Sequence, residues 1–151
     1  MATQPRFTSV CNLGRVSIPT ATAQVKSDGT SAGAGVDFMY NLLAAGASDT
    51  LVDVVRFRCV ASAAAVASVA TTLRVYLSTV ASPGATTPAD TFLLDEISVP
   101  AITASHSTNA TNYFDCVINK VIPAGTYLHV SQHVAQTANQ NWIALAFGGN
   151  F

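Results

Sequence analysis

Few residues of this chain have the types and spacing that chemistry requires. Residues 29–33 read Gly-Thr-Ser-Ala-Gly, which matches the hydrolase pattern G-x-S-x-G around Ser31. In hydrolases this serine follows a buried strand and precedes a helix, so that a strained turn exposes its hydroxyl. Here Lys-Ser-Asp precedes the segment and Ala-Gly follows it. We therefore interpret it as a Gly/Ser-rich loop and not as a catalytic turn.

His129 and His133 are four residues apart. On a helix such a pair can share a zinc ion, but the run H-V-S-Q-H lacks the glutamate of the metalloprotease motif. In a strand, four steps of about 3.3 Å separate the two residues by about 13 Å. Metal bonds of about 2 Å cannot bridge that distance within one chain. A site shared between copies across a symmetry axis stays open, and His106 lies in a polar loop.

Asp95 and Glu96 are adjacent in a predicted strand, so their side chains point to opposite faces. They cannot act as the acid and base that flank one glycosidic bond. The three cysteines, Cys11, Cys59 and Cys116, are far apart and form no C-x-x-C pair. We interpret them as small apolar residues within strands. Free cysteines of this kind fit synthesis of the protein in a reducing compartment. The sequence thus predicts no catalytic residue, no cofactor and no metal, and the protein is expected not to be an enzyme.

Composition narrows the function classes further. Only 10% of the residues are charged, against about 25% in ordinary soluble domains. Ala, Thr and Ser make up 55 of the 151 residues, and the net charge is -1. Such a surface is suited to packing against other protein. The lack of a basic excess argues against direct nucleic-acid binding. The lack of an apolar run of about 18 residues predicts no transmembrane helix, and the N-terminus lacks a secretory signal pattern.

Short β-branched runs between Gly, Pro, Ser and Asn clusters predict strands, and no long amphipathic helix alternates with them. The clearest strand places Val55, Phe57 and Cys59 on one face and Arg56 and Arg58 on the other. The predicted strands span residues 7–18, 36–43, 50–60, 71–80, 91–99, 113–121, 127–134 and 142–147. A turn is predicted at residues 123–125, and residues 61–70 are interpreted as a loop with at most one helical turn. The sequence predicts an all-β, single-domain antiparallel sandwich of about eight strands.

Within that domain, residues 1–35 are expected to form an N-terminal arm, the first strand and a long loop, and residues 36–151 the remainder of the sandwich. Arg56, Arg58, Arg74 and Tyr76 are predicted on outward strand faces, where they form a basic stripe. Pairing of the arginines with Asp or Glu is favoured over a nucleic-acid groove, which needs more aromatic platforms. Trp142 is either a core residue or an interface anchor.

The C-terminal half carries a specific order of motifs. L-R-V-Y-L at residues 73–77 is followed by L-D-E-I-S-V-P at 94–100, P-A-G-T-Y-L-H-V-S at 123–131 and W-I-A-L-A-F-G-G-N-F at 142–151. This order resembles the small jelly-roll virion proteins of tailed bacteriophages, of the capsid decoration or cementing type. The resemblance implies a jelly roll that binds the outside of the head, as a homotrimer in contact with the major capsid protein. It also implies synthesis in the bacterial host cytoplasm.

The expected function is therefore stabilisation of the shell by protein–protein contacts, without direct nucleic-acid or membrane binding. An arm containing Arg6 and Phe7 is expected to clamp a neighbouring subunit. The full set of candidate interface residues is Arg6, Phe7, Arg56, Arg58, Arg74, Tyr76, Asn150 and Phe151. Three alternatives remain: a tail, neck or fibre protein with a receptor- or glycan-binding jelly roll; a carbohydrate-binding module or small enzyme; and a genome-enclosing shell protein.

Overall fold

The computed structural model describes residues 9–18, 39–62, 66–83, 86, 89–104, 113–134 and 136–150. Ten strands lie within these residues. They are β1 (Ser9–Ile18), β2 (Tyr40–Ala44), β3 (Thr50–Ala61), β4 (Val66–Ala67), β5 (Thr71–Ser78), β6 (Thr91–Val99), β7 (Thr103–Ala104), β8 (Tyr113–Ile122), β9 (Tyr127–Gln132) and β10 (Gln140–Asn150). In this part of the chain, no helix has the length and apolar character needed to cross a membrane.

The eight long strands form two antiparallel sheets. Sheet 1 has the order β1-β10-β3-β8 and sheet 2 the order β2-β9-β5-β6. Counted along the eight strands, the first pairs with the last, the second with the seventh, the third with the sixth and the fourth with the fifth. In addition, β10 pairs with β3, and β9 pairs with β5. Together these pairings give the jelly-roll arrangement. The predicted sandwich of about eight strands is confirmed.

The prediction for residues 61–70 was wrong in one respect. Val66–Ala67 forms the short strand β4, which pairs with β7 in the linker that follows β6. Ser68 extends this contact: its amide donates to the Ile102 carbonyl at 2.7 Å, and its hydroxyl accepts the Ile102 amide at 2.8 Å. The alanines therefore do not decide the conformation, because a partner strand distant in sequence satisfies the backbone of this segment.

The core lies between the sheets and follows the period-two alternation. Val55, Phe57 and Cys59 are buried on β3, as predicted. The next strand, β10, buries Trp142, opposite Cys59 in the register. The Trp142 ring meets Phe114 edge-to-face, with the ring centroids 5.9 Å apart. The sequence left Trp142 open between core and interface, and in the folded chain it is a core residue.

The sandwich is closed differently at its two sides. At one side, β1 approaches β2 so closely that a methyl group on Gly14 would overlap the Leu42 carbonyl oxygen. Only glycine permits that approach, and the register of β1 with β10 is interrupted at the same residue. At the other side, β8 lies beside β6, where Asp95 is near enough to hydrogen-bond the Cys116 thiol.

A tight turn connects β8 to β9, as predicted. The Thr126 amide donates to the Pro123 carbonyl at 3.2 Å. Gly125 has a φ of 74°, a left-handed conformation that glycine adopts without a steric penalty. The Asp49 carboxylate accepts the Ala124 amide at 2.9 Å and ties this turn to the one before β3.

Candidate interaction surface

The outer side of sheet 1 consists of cross-strand rows, each with one residue from β10, one from β3 and one from β8. The rows are Ile143–Arg58–Tyr113, Leu145–Arg56–Asp115, Phe147–Val54–Val117 and Gly149–Leu51–Val121. We call these residues the sheet 1 face. Two rows carry the charged residues, and the other two carry none.

The sheet 1 face exposes several apolar side chains. Val117 is 64% exposed, Tyr113 54% and Val121 49%. Three strands about 4.8 Å apart and roughly ten residues long form a face on the order of 10 by 33 Å. A stable protein interface covers about 800 Å² of each partner, so this face supplies part of one side. Exposed apolar side chains that cluster on one face often mark a functional surface.

Arg56 is fixed in the middle of the face. Its Nε and Nη2 donate to the two carboxylate oxygens of Asp115, each at 2.8 Å. These hydrogen bonds raise the pKa of the Arg56 guanidinium above its ordinary value. The guanidinium carbon also lies 4.0 Å from the centroid of the Tyr113 ring and 5.7 Å from that of Phe147. The predicted pairing of this arginine with an acidic residue is confirmed.

The outer side of sheet 2 is the reverse case, because its side chains are polar and yet buried. Arg74, Tyr76, His129 and Ser131 share this side in the β5–β9 register, and all four are buried. The prediction that Arg74 and Tyr76 lie on an exposed stripe was therefore wrong. The alternation along β5 correctly separates its inner side chains from its outer ones. It does not reveal that the outer side chains are also buried.

The contacts of this buried side are internal. Arg74 Nε donates to Glu96 at 2.9 Å, and its Nη1 lies 3.3 Å from His133 Nδ1. His129 Nε2 lies 2.9 Å from the carbonyl oxygen of Val80, just beyond β5. In the described ranges, no group of three or more His, Cys, Asp or Glu side chains is placed to hold a metal ion. The two histidines thus contact structural partners.

The remaining candidates have different positions. Asn150 is half-buried, and its side-chain oxygen accepts a hydrogen bond from the Thr50 hydroxyl at 2.8 Å. Arg58 is exposed on the sheet 1 face. The candidates and motifs that lie outside the described residues are Arg6, Phe7, Ser31, His106 and Phe151.

Sequence reasoning missed the apolar residues of the sheet 1 face, although a signal for them existed. On β10, Ile143, Leu145 and Phe147 alternate with Trp142 and the buried alanines. A strand that is apolar on both faces is typical of one that is covered on both faces. The exposed Val117 on β8 gives no such signal, because a single valine in a strand predicts burial as readily as exposure.

We compared the chain with models of protein families, with curated proteins and with solved structures, and found no match.

Proposed function

We propose that this protein is a structural component of a bacteriophage virion that decorates the outside of the head and stabilises the shell by protein–protein contacts. The observation that carries the proposal is the sheet 1 face, an exposed apolar surface on a jelly roll with few charges. The motif order in the C-terminal half, which resembles phage decoration proteins, supports the same assignment.

The physical basis is the low cost of covering this surface. Burying Val117, Val121 and Tyr113 against a neighbour removes apolar area from water at about 25 cal/mol per Å². The cation at the centre of the face, Arg56, already has its carboxylate partner, so its charge is compensated when water is removed. The neighbours on the particle are the major capsid protein and further copies of the chain.

The experiment combines localisation with a variant of the face. Virions are purified, the copy number of the chain is measured by mass spectrometry, and its position is determined by cryo-EM. Hundreds of copies on the head are expected, and an absence from virions overturns the proposal. Density at the tail, neck or fibre supports the alternative virion role instead.

The variant Val117→Glu places a charge at the β8 end of the uncharged row of Phe147, Val54 and Val117. We expect it to fold with an unchanged circular dichroism spectrum and to lose at least tenfold in occupancy on the particle. Val134→Glu is the matched control, because Val134 is also exposed but follows a strand of sheet 2. Equal occupancy of the two variants would contradict a role for the sheet 1 face.

A further inference from the structure

The strand β8 forms an open edge of sheet 1. It spans Tyr113–Ile122 and pairs with β3 along one side. Along its other side, no strand of the described part of the chain pairs with it, because the nearby β6 belongs to sheet 2 and pairs with β5. An edge strand presents backbone N–H and C=O groups to which a further strand can bind. Sheet 1 can therefore be extended beyond β8.

The outward side chains of β8 have a symmetric spacing. Tyr113, Val117 and Val121 follow one another at intervals of four residues, and all three are exposed. They belong to three different rows of the sheet 1 face. Because Val117 is at the centre, these apolar positions have the same spacing in both directions along the strand. Such a strand is complementary to a second copy of itself that runs antiparallel.

A single register of this pair places all three apolar side chains opposite apolar ones. Outward side chains must lie opposite outward side chains, which excludes every second register. With the two-fold axis at Val117, Tyr113 of each copy lies opposite Val121 of the other, and Asp115 lies opposite Asn119. Moving the axis by one residue in either direction places the Asp115 carboxylate opposite an exposed valine instead.

The irregular part of β8 is compatible with this pair. Asn119 has a φ of 45°, and the register between β8 and β3 shifts close to it. Four other strand pairs of this fold also contain a register shift. The exposed Lys120 lies opposite Phe114 of the other copy, so no like charges face each other. A two-fold contact uses the β8 edge of both copies and therefore stops at a dimer.

We propose that two copies of this chain pair through β8 in antiparallel orientation, about a two-fold axis at Val117. The pair joins sheet 1 of each copy into one sheet of eight strands. Three face-forming strands from each copy, about 4.8 Å apart, give a joined face of about 24 by 33 Å, or about 800 Å². A stable interface covers about that area of one partner, whereas a single copy supplies less than half of it. The pairing is independent of the proposed function, and only the use of the joined face rests on that function.

Disulfide cross-linking of the full-length purified protein tests the register. Val117→Cys is expected to form disulfide-linked dimers under mild oxidation, since directly opposite residues have Cα atoms about 4.5–5.5 Å apart, within disulfide reach. Tyr113→Cys and Val121→Cys are each expected to stay uncross-linked alone and to form dimers when they are mixed. In the proposed pair, the two copies of residue 121 are eight strand steps apart, which is about 26 Å. Wild-type protein under the same oxidation measures the background from the native cysteines.

Two results of the cross-linking would overturn the proposal. Val121→Cys dimers in the same yield as Val117→Cys dimers indicate a parallel or face-to-face contact. Val134→Cys is the matched control, because Val134 is also exposed but follows a strand of sheet 2. Dimers of Val134→Cys in that same yield indicate random collisions and no specific pairing.

Light scattering over a range of protein concentrations measures the association without a cross-link. Wild-type protein is expected to reach twice the monomer mass. Val117→Glu is expected to raise the dissociation constant at least tenfold, because two carboxylates meet at the axis, and Val134→Glu is expected to leave it unchanged. Protein that stays monomeric and forms no Val117→Cys dimers overturns this inference, whereas the virion measurements decide the proposed function separately.

Discussion

At the scale of single residues, Trp142 is the largest fully buried side chain of the described residues. It is wholly buried between the sheets, and within the described residues its indole nitrogen has no hydrogen-bond partner. Trp142→Ala leaves a large cavity and is expected to cost about 3–5 kcal/mol of unfolding free energy. Trp142→Phe keeps much of the ring packing and loses no hydrogen bond, so its cost is expected to be smaller. Urea titrations of both variants measure this order, and equal costs would contradict it.

The buried thiols predict how stability responds to alkaline pH. Burial raises the pKa of Cys59 from 9.0 to about 11. Burial, with a smaller effect of Asp95, raises that of Cys116 from 9.0 to about 12. Below pH 9 both thiols are neutral in the folded and unfolded states. Above it they ionise first in the unfolded chain, so stability is lost as the pH rises toward the folded-state values.

Between about pH 9 and 11, the ionisation of each thiol is expected to lower the free energy of unfolding by at most about 1.4 kcal/mol per pH unit. The measurement is the unfolding free energy from urea titrations at pH 8, 9 and 10. The variant Cys59→Ala provides the comparison, since it removes one thiol and should show a shallower decline. A decline as steep as that of the wild-type protein would count against this origin of the pH dependence.

At the scale of elements, the approach of β1 to β2 depends on the missing side chain of Gly14. Gly14→Ala forces its new methyl group against the Leu42 carbonyl, so the two edge strands must separate. We expect a cost of about 1–3 kcal/mol, as for other overpacked sites. Gly46→Ala is the matched control, because nothing lies within 4 Å of its added methyl group. Thermal melts of the two variants compare them directly, and similar melting temperatures would refute the close contact.

Strand positions were predictable because they depend on local pattern. The strand Thr91–Val99 lies where alternation and the following proline place it, and β3 extends only one residue beyond its predicted end. The pairing of β4 with β7 was not predictable, since two residues carry no periodicity and their partner lies more than thirty residues away. Two loop segments pair with each other because the tertiary fold brings them close together. Local propensity does not encode that proximity.

At the scale of the whole molecule, the fold class followed from strand spacing and composition, whereas the candidate surface did not. Arg74 and Tyr76 have the sequence pattern of a solvent-facing stripe, yet they are buried. The exposure of a side chain depends on which other segments pack against its sheet. The alternation along a single strand carries no information about those segments. The face with Val117 and Val121 is formed by three strands together, and the pattern of no single strand predicts it.

The pairing of strands that are far apart in sequence also determines when each sheet can form during synthesis. The central strand of sheet 1 next to β3 is β10, at residues 140–150. Until the ribosome has released those residues, β1 has no partner strand and the rows that include Phe147 do not exist. The hairpin of β5 and β6 needs only a short loop closure and can form much earlier. Among the described strands, the sheet 1 face is therefore the last to be completed, because it needs β10.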